Sequence, residues 1–137
     1  MNLTELFSII NHKLTSGCSL KECQQHLHDY ACDDYLAFVK PDENKYSRQV
    51  VFSNQKVEMV VITWSQGQTS GYHGHPGDCI FKILENCMNE EKIDANGKII
   101  EHVYNESDSG YICNAVGIHN MIAPFDAVSL HIYSPPF

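Results

Sequence analysis

From Ser47 onward the chain breaks into short runs rich in Val, Ile, Tyr and Phe, and this succession limits the folds open to it. The runs are Arg48–Phe52, Val57–Trp64, Asp78–Leu84, Met88–Ile93, Ile99–Tyr104, Gly110–Gly117 and Ala127–Tyr133. β-Branched and aromatic side chains suit a pleated, half-buried surface, so each run reads as a strand. Ser53-Asn54, Asn96-Gly97 and Asp108-Ser109-Gly110 fall between runs, where hairpin turns belong. No interval holds a helix-length periodic pattern. Parallel strands need long crossovers, so strands this closely spaced pair antiparallel. The predicted class is mainly β, as a sandwich or small antiparallel barrel.

The first third of the chain has a different period. Leu3, Leu6, Phe7 and Ile10 recur at helical spacing, as do Leu20, Cys23, Leu27 and Tyr30. Asn2 with Glu5, and Ser19 with Glu22, have the spacing of a capping box, in which each residue satisfies the other's free backbone N–H. Two short helices joined through Thr15-Ser16-Gly17 are expected. No repeat or linker divides the chain, so residues 1–137 are expected to form one domain, with a short N-terminal helical lobe over 1–40 and a barrel over 46–137.

Nine basic residues against seventeen acidic ones leave a net charge of −8, which disfavours nucleic acid or an anionic membrane as the main partner. No stretch approaches the roughly 18 apolar residues of a membrane span. The opening MNLTELFSIINHKL lacks the apolar core of a signal peptide. None of the six cysteines forms a C-x-x-C pair. The expectation is therefore a cytoplasmic monomer with reduced cysteines.

Two His-x-His triplets stand out. His26-Leu27-His28 lies in the helical stretch, where residues two apart point about 200° away from each other, so these rings are expected in solvent. His73-Gly74-His75 lies among the strands, where residues two apart share a face, as two ligands of one metal must. Gly71, Gly74 and Gly77 would let an ion approach the backbone closely. His119, in Gly117-Ile118-His119, is the best candidate for a third ligand, and His12 and His102 are expected on the surface. In the last run, Val128, Leu130 and Ile132 alternate with Ser129, His131 and Tyr133. That polar row either faces water or lines a polar pocket.

At this point the residues resemble a family. Gly67, five residues, His73, one residue, His75, three residues and Cys79 follow the first cupin motif, with cysteine in place of its usual glutamate. Together with Tyr46-Ser47-Arg48, Cys79-Ile-Phe-Lys-Ile-Leu-Glu85 and the terminal Ser129-Leu-His-Ile-Tyr-Ser-Pro-Pro-Phe137, the chain is similar to the cysteine dioxygenase family, over Tyr46 to Phe137. Asn86 stands where the cupin motif has glycine, and asparagine tolerates a positive φ. Family members usually continue beyond the point where this chain stops.

The resemblance implies a cupin barrel holding iron(II) on His73, His75 and His119. Arg48 would pair with the carboxylate of L-cysteine, supported by Tyr46. Tyr133 would place its hydroxyl beside substrate and O2 and would carry a thioether cross-link to Cys79. Ser129 and His131 would form a row behind Tyr133 and tune it. Trp64 and a cis Ser134–Pro135 bond would shape the pocket wall. The implied reaction adds both atoms of O2 to the thiol, giving cysteinesulfinic acid. Two alternatives stay open: a dioxygenase of another small thiol such as 3-mercaptopropionate, and a shortened, non-catalytic cupin that binds metal or thiol.

Overall fold

Asn2 starts the first helix, α1 (Leu3–Thr15), through a reciprocal capping box with Glu5. The Asn2 side chain accepts from the Glu5 N–H at 2.8 Å, and the Glu5 carboxylate accepts from the Asn2 N–H at 3.2 Å. The Ser19 hydroxyl accepts from the Glu22 N–H at 3.3 Å, but its return bond runs to the Glu22 side chain, not back to the Ser19 backbone. The segment after it begins as a 3-10 turn over Lys21–Cys23 and only then becomes α2 (Gln24–Asp29). A second 3-10 turn, Asp34–Phe38, extends the lobe. The computed structural model describes residues 1–113 and 118–137.

Eight strands follow among the described residues: β1 (Ser47–Ser53), β2 (Glu58–Trp64), β3 (Asp78–Glu85), β4 (Met88–Ile93), β5 (Ile99–Tyr104), β6 (Ser109–Ile112), β7 (His119–Ile122) and β8 (Ala127–Ser134). All pair antiparallel. One sheet has the order β1-β2-β8-β3-β6 and the other β5-β4-β7.

Three sequence expectations need correction. The Gly110–Gly117 run is strand only as far as Ile112, and residues 114–117 lie outside the described residues. The turn before β6 comes earlier than Asp108-Ser109-Gly110, with Ser107 at φ +75° and both Ser109 and Gly110 already in the strand. β7 was not among the expected runs, because four residues opening on His-Asn offer little apolar pattern. Asn86, as expected, takes a positive φ of 60°.

Strand parity divides the core in two. Met59 and Val61 of β2, Val128, Leu130 and Ile132 of β8, and Ile80 of β3 face the helices. There they meet Leu6, Ile10, Leu27 and Tyr30, all essentially fully buried. Burying each such side chain stabilises by roughly 1.5–3 kcal/mol. The opposite parity turns between the two sheets: Val60, Ile62 and Trp64, Cys79, Phe81 and Ile83, and Tyr133, with Met88, Tyr104 and Met121 contributed by the second sheet. Gly110 is opposite Phe81 in the β3–β6 register, and a Cβ there would come within 2.8 Å of Phe81 Cε1 and 3.1 Å of Tyr104 Cε1. Only glycine lets those two rings close that end of the interior.

Candidate metal centre and its cavity

The three histidines singled out above converge. Ring centroids are 4.9 Å apart for His73 and His75, 4.6 Å for His73 and His119, and 5.0 Å for His75 and His119. Their potential ligand atoms all lie within 4.8 Å of one another. The reason differs from the expected one, since His73-Gly74-His75 is not a strand. It is an irregular segment held by a single antiparallel bridge, with His73 N–H donating to His119 C=O at 2.9 Å and His119 N–H to His73 C=O at 3.1 Å. That bridge places two of the rings side by side.

Hydrogen bonds orient two of these rings. His73 Nδ1 lies 2.9 Å from the Gly71 carbonyl and His119 Nδ1 lies 2.8 Å from Glu90 Oε2. Both partners only accept, so each Nδ1 is a donor and Nε2 is the ring nitrogen left to face a metal. His75 Nδ1 and His119 Nε2 are buried without a hydrogen-bond partner among the described residues. Buried polar atoms are rarely left unpaired. Burial lowers the pKa of His73, and it lowers that of His75 to about 4, with help from His119 and His73. Three imidazoles whose ligand atoms lie this close together can hold a divalent transition metal.

Glu90 was not singled out from sequence. It is 1% exposed, and beside His119 it takes the Tyr104 hydroxyl at 3.3 Å and pairs with Lys92 at 3.6 Å. Burial alone would raise its pKa, but the hydrogen bond from His119 and the charge of Lys92 outweigh this and hold it below the usual value. A carboxylate on the far nitrogen of a metal-binding histidine fixes its tautomer and orientation.

The rings open onto a cavity of about 150 Å3 that also reaches Tyr46, Arg48, Trp64 and Tyr133. Drug-sized sites run to roughly 300–1,000 Å3, so this one suits a smaller molecule. Arg48 lies over the faces of Tyr133 and Phe137, 5.5 and 5.9 Å from the ring centres, and donates to Glu58. Glu58, which is 8% exposed, also escaped notice in the sequence. It shares the inward parity of Val60, Ile62 and Trp64, which was the available signal. Tyr46 stacks on Trp64 at 4.7 Å. Phe137 packs edge-on against His75 at 5.3 Å.

The Ser129, His131 and Tyr133 row faces inward, not into water. Trp64 Nε1 donates to Ser129 Oγ at 3.0 Å, Ser129 Oγ meets His131 Nε2 at 2.8 Å, and His131 Nδ1 meets the Tyr133 hydroxyl at 3.3 Å. Burial, with the neighbouring histidines, pushes His131 down to about 3, so its ring is neutral. Burial pushes the Tyr133 hydroxyl well above its ordinary range, so it is a proton-bearing phenol. Cys79, 1% exposed, pairs directly opposite Tyr133 in the β3–β8 register. Its thiol, too, is held protonated by burial. The Ser134–Pro135 peptide bond is cis.

The remaining histidines stay apart from this site. His12 and His102 are exposed. His28 is exposed as well, yet its Nδ1 meets Ser109 Oγ at 3.0 Å and ties the lobe to β6. Among the described residues no helix is long and apolar enough to cross a membrane.

Comparisons with known proteins agree with this geometry. The family model for cysteine dioxygenase type I matches residues 6–137. Human cysteine dioxygenase type 1 is 30% identical over 98% of this chain and 75% of its own length. The zebrafish (Danio rerio) protein of that name is 29% identical over 90% of this chain and 69% of its own. Among solved structures, an RmlC-like cupin from Desulfovibrio desulfuricans has a TM-score of 0.60 at 19% identity, covering 79% of this chain and 99% of that one. A cupin superfamily protein from Desulfitobacterium hafniense gives 0.60 at 15%, covering 72% and 84%. The barrel is thus a cupin, and with the family's model matched over nearly all of its length, the chain belongs to the cysteine dioxygenase type I family.

Proposed function

We propose that the protein is a thiol dioxygenase that converts L-cysteine and O2 into cysteinesulfinic acid. One observation carries this reading: three converging histidine rings and one arginine share a single small cavity. His73, His75 and His119 would hold iron(II), which would supply the redox reactivity towards triplet O2 that thiols lack and would favour deprotonation of a bound thiol.

The chain's own residues would do the rest. Arg48 gives one N–H to Glu58, and its other donors have no partner among the described residues. A planar guanidinium suits a carboxylate, so Arg48 would anchor that end of the amino acid and fix where the sulfur lies. Tyr46, stacked on Trp64, would buttress the same wall. Tyr133 would donate its hydroxyl proton to negative charge developing on the substrate or on oxygen. His131 and Ser129 would hold that hydroxyl in place. Cys79, opposite Tyr133, would form the thioether cross-link that the family resemblance implies. The whole described chain would act as one domain.

The test is direct. Purified protein loaded with one equivalent of iron(II) is given L-cysteine and O2, and the product is followed by mass spectrometry. Cysteinesulfinate with matching O2 uptake is expected. No product from fully loaded protein overturns the reading. Preference for 3-mercaptopropionate in equal competition overturns the choice of substrate.

A further inference from the structure

The hydrogen-bond chain behind Tyr133 has a direction, and a residue outside the Ser-His-Tyr row fixes it. The indole Nε1–H of Trp64 can only donate. Its partner is Ser129 Oγ at 3.0 Å, and both residues are buried. A hydroxyl has one proton, and among the described residues the Ser129 oxygen has one other partner, His131 Nε2 at 2.8 Å. With the indole proton already on its oxygen, Ser129 is left to donate to Nε2. A neutral imidazole carries one proton, so that of His131 sits on Nδ1.

Nδ1 faces two atoms that accept in this arrangement, the Tyr133 oxygen at 3.3 Å and Cys79 Sγ at 3.8 Å. Cys79 directs its own S–H to the Ile80 carbonyl, which leaves its sulfur open to an incoming proton. The reverse tautomer fits worse. Indole and imidazole would then both donate to Ser129, and the buried seryl proton would find no acceptor among the described residues. Tyr133 would also turn its proton back towards Nδ1 and away from the cavity.

We propose that Trp64 is the positioning residue that sets this direction: its N–H makes Ser129 a donor, holds His131 as the Nδ1–H tautomer, and leaves the Tyr133 hydroxyl proton free for a ligand in the cavity. The tautomer is independent of any activity, and only its kinetic consequence rests on the thiol dioxygenase reading.

The test is long-range 1H–15N correlation on metal-free protein labelled with 15N-histidine, the His131 signals being assigned by their loss in His131→Gln. The wild-type protein is expected to show His131 protonated at Nδ1. Trp64→Phe, which keeps an aromatic ring against Tyr46 but removes the N–H, is expected to move His131 to intermediate nitrogen shifts that report a mixture. In the iron-loaded enzyme the same change should lower kcat about 10-fold or more while KM and iron content hold. A wild-type His131 protonated at Nε2 overturns the proposal, as does a Trp64→Phe spectrum unchanged from wild type. Should Trp64→Phe not fold, the wild-type spectrum decides alone. Absence of dioxygenase activity would count against the proposed function and leave the tautomer result standing.

Discussion

Cys79 and Tyr133 are paired directly across the β3–β8 ladder, with both side chains turned into the barrel. Directly opposed residues on antiparallel strands bring their Cβ atoms to about 4.5–5.5 Å. A bond between Cys79 Sγ and a carbon of the Tyr133 ring therefore asks for no change of register. It would cost one S–H and one C–H hydrogen, both passed to O2. Protein purified with iron in air is expected to contain a fraction lighter by two hydrogens, with Cys79 and Tyr133 joined in one tryptic species. Cys79→Ser and Tyr133→Phe should each abolish that species in peptide mass spectrometry. Its persistence in either variant would show that another pair had reacted.

Arg48 meets Glu58 before it meets any ligand. A substrate carboxylate must then share the guanidinium with a resident one. Arg48→Ala removes charge-assisted hydrogen bonds of about 1.5–3 kcal/mol, so KM for L-cysteine should rise roughly 10–100-fold with iron content unchanged. Glu58→Gln keeps an acceptor but removes the competing charge, and should lower KM several-fold. Steady-state kinetics on both variants check the pair. A raised KM in Glu58→Gln would mean that Glu58 orients Arg48 and does not compete for it.

Among the described residues, Glu90 touches the candidate metal centre through His119. His119→Ala should lose most of the bound iron. Glu90→Gln leaves the ring in place but removes the carboxylate that makes its imidazole more basic. Loss of such an outer partner typically weakens a site 10–100-fold, and about 10-fold is expected here. Anaerobic titration with iron(II) measures it. Equal affinity in Glu90→Gln and wild type would reduce Glu90 to a structural hydrogen-bond partner.

The barrel was legible because β2, β3 and β8 are short runs rich in β-branched and aromatic residues, buried on both faces, with one parity packed on the helices and the other on the interior. In β8 the alternation put Ser129, His131 and Tyr133 on one face but left open whether that face met water, and only the packing between the sheets shows that it turns inward. The histidine cluster was legible in its residues and not in its backbone, because His73-Gly74-His75 meets His119 through one bridge and not through a strand. Glu58 and Glu90 were illegible for a different reason. A carboxylate in a strand ordinarily faces water, and only the register shows that Glu58 shares its face with Trp64, or that Glu90 and not Glu91 turns inward beside Met88. β7 stayed hidden because the feature that matters in it, the pairing with β4 and with His73, is non-local.

Asp34 ties the helical lobe together, and its ionisation should be visible in acid. It accepts from the Leu3 N–H at 2.8 Å, at the start of α1, and from the Tyr30 hydroxyl at 2.6 Å. Burial raises its pKa, but those two hydrogen bonds outweigh it and leave the carboxyl below its ordinary value. A group depressed in the folded state contributes stability that is fully present above its unfolded pKa, about 4, and is lost as pH falls through the folded value. Asp34→Ala should therefore cost about 1–3 kcal/mol at pH 7, read as a fall in Tm of about 3–12 °C. The gap between variant and wild type should narrow steadily below about pH 4. Urea unfolding followed by circular dichroism at neutral and acid pH measures both. A gap that stays constant into acid would show that Asp34 acts by packing alone and not through its charge.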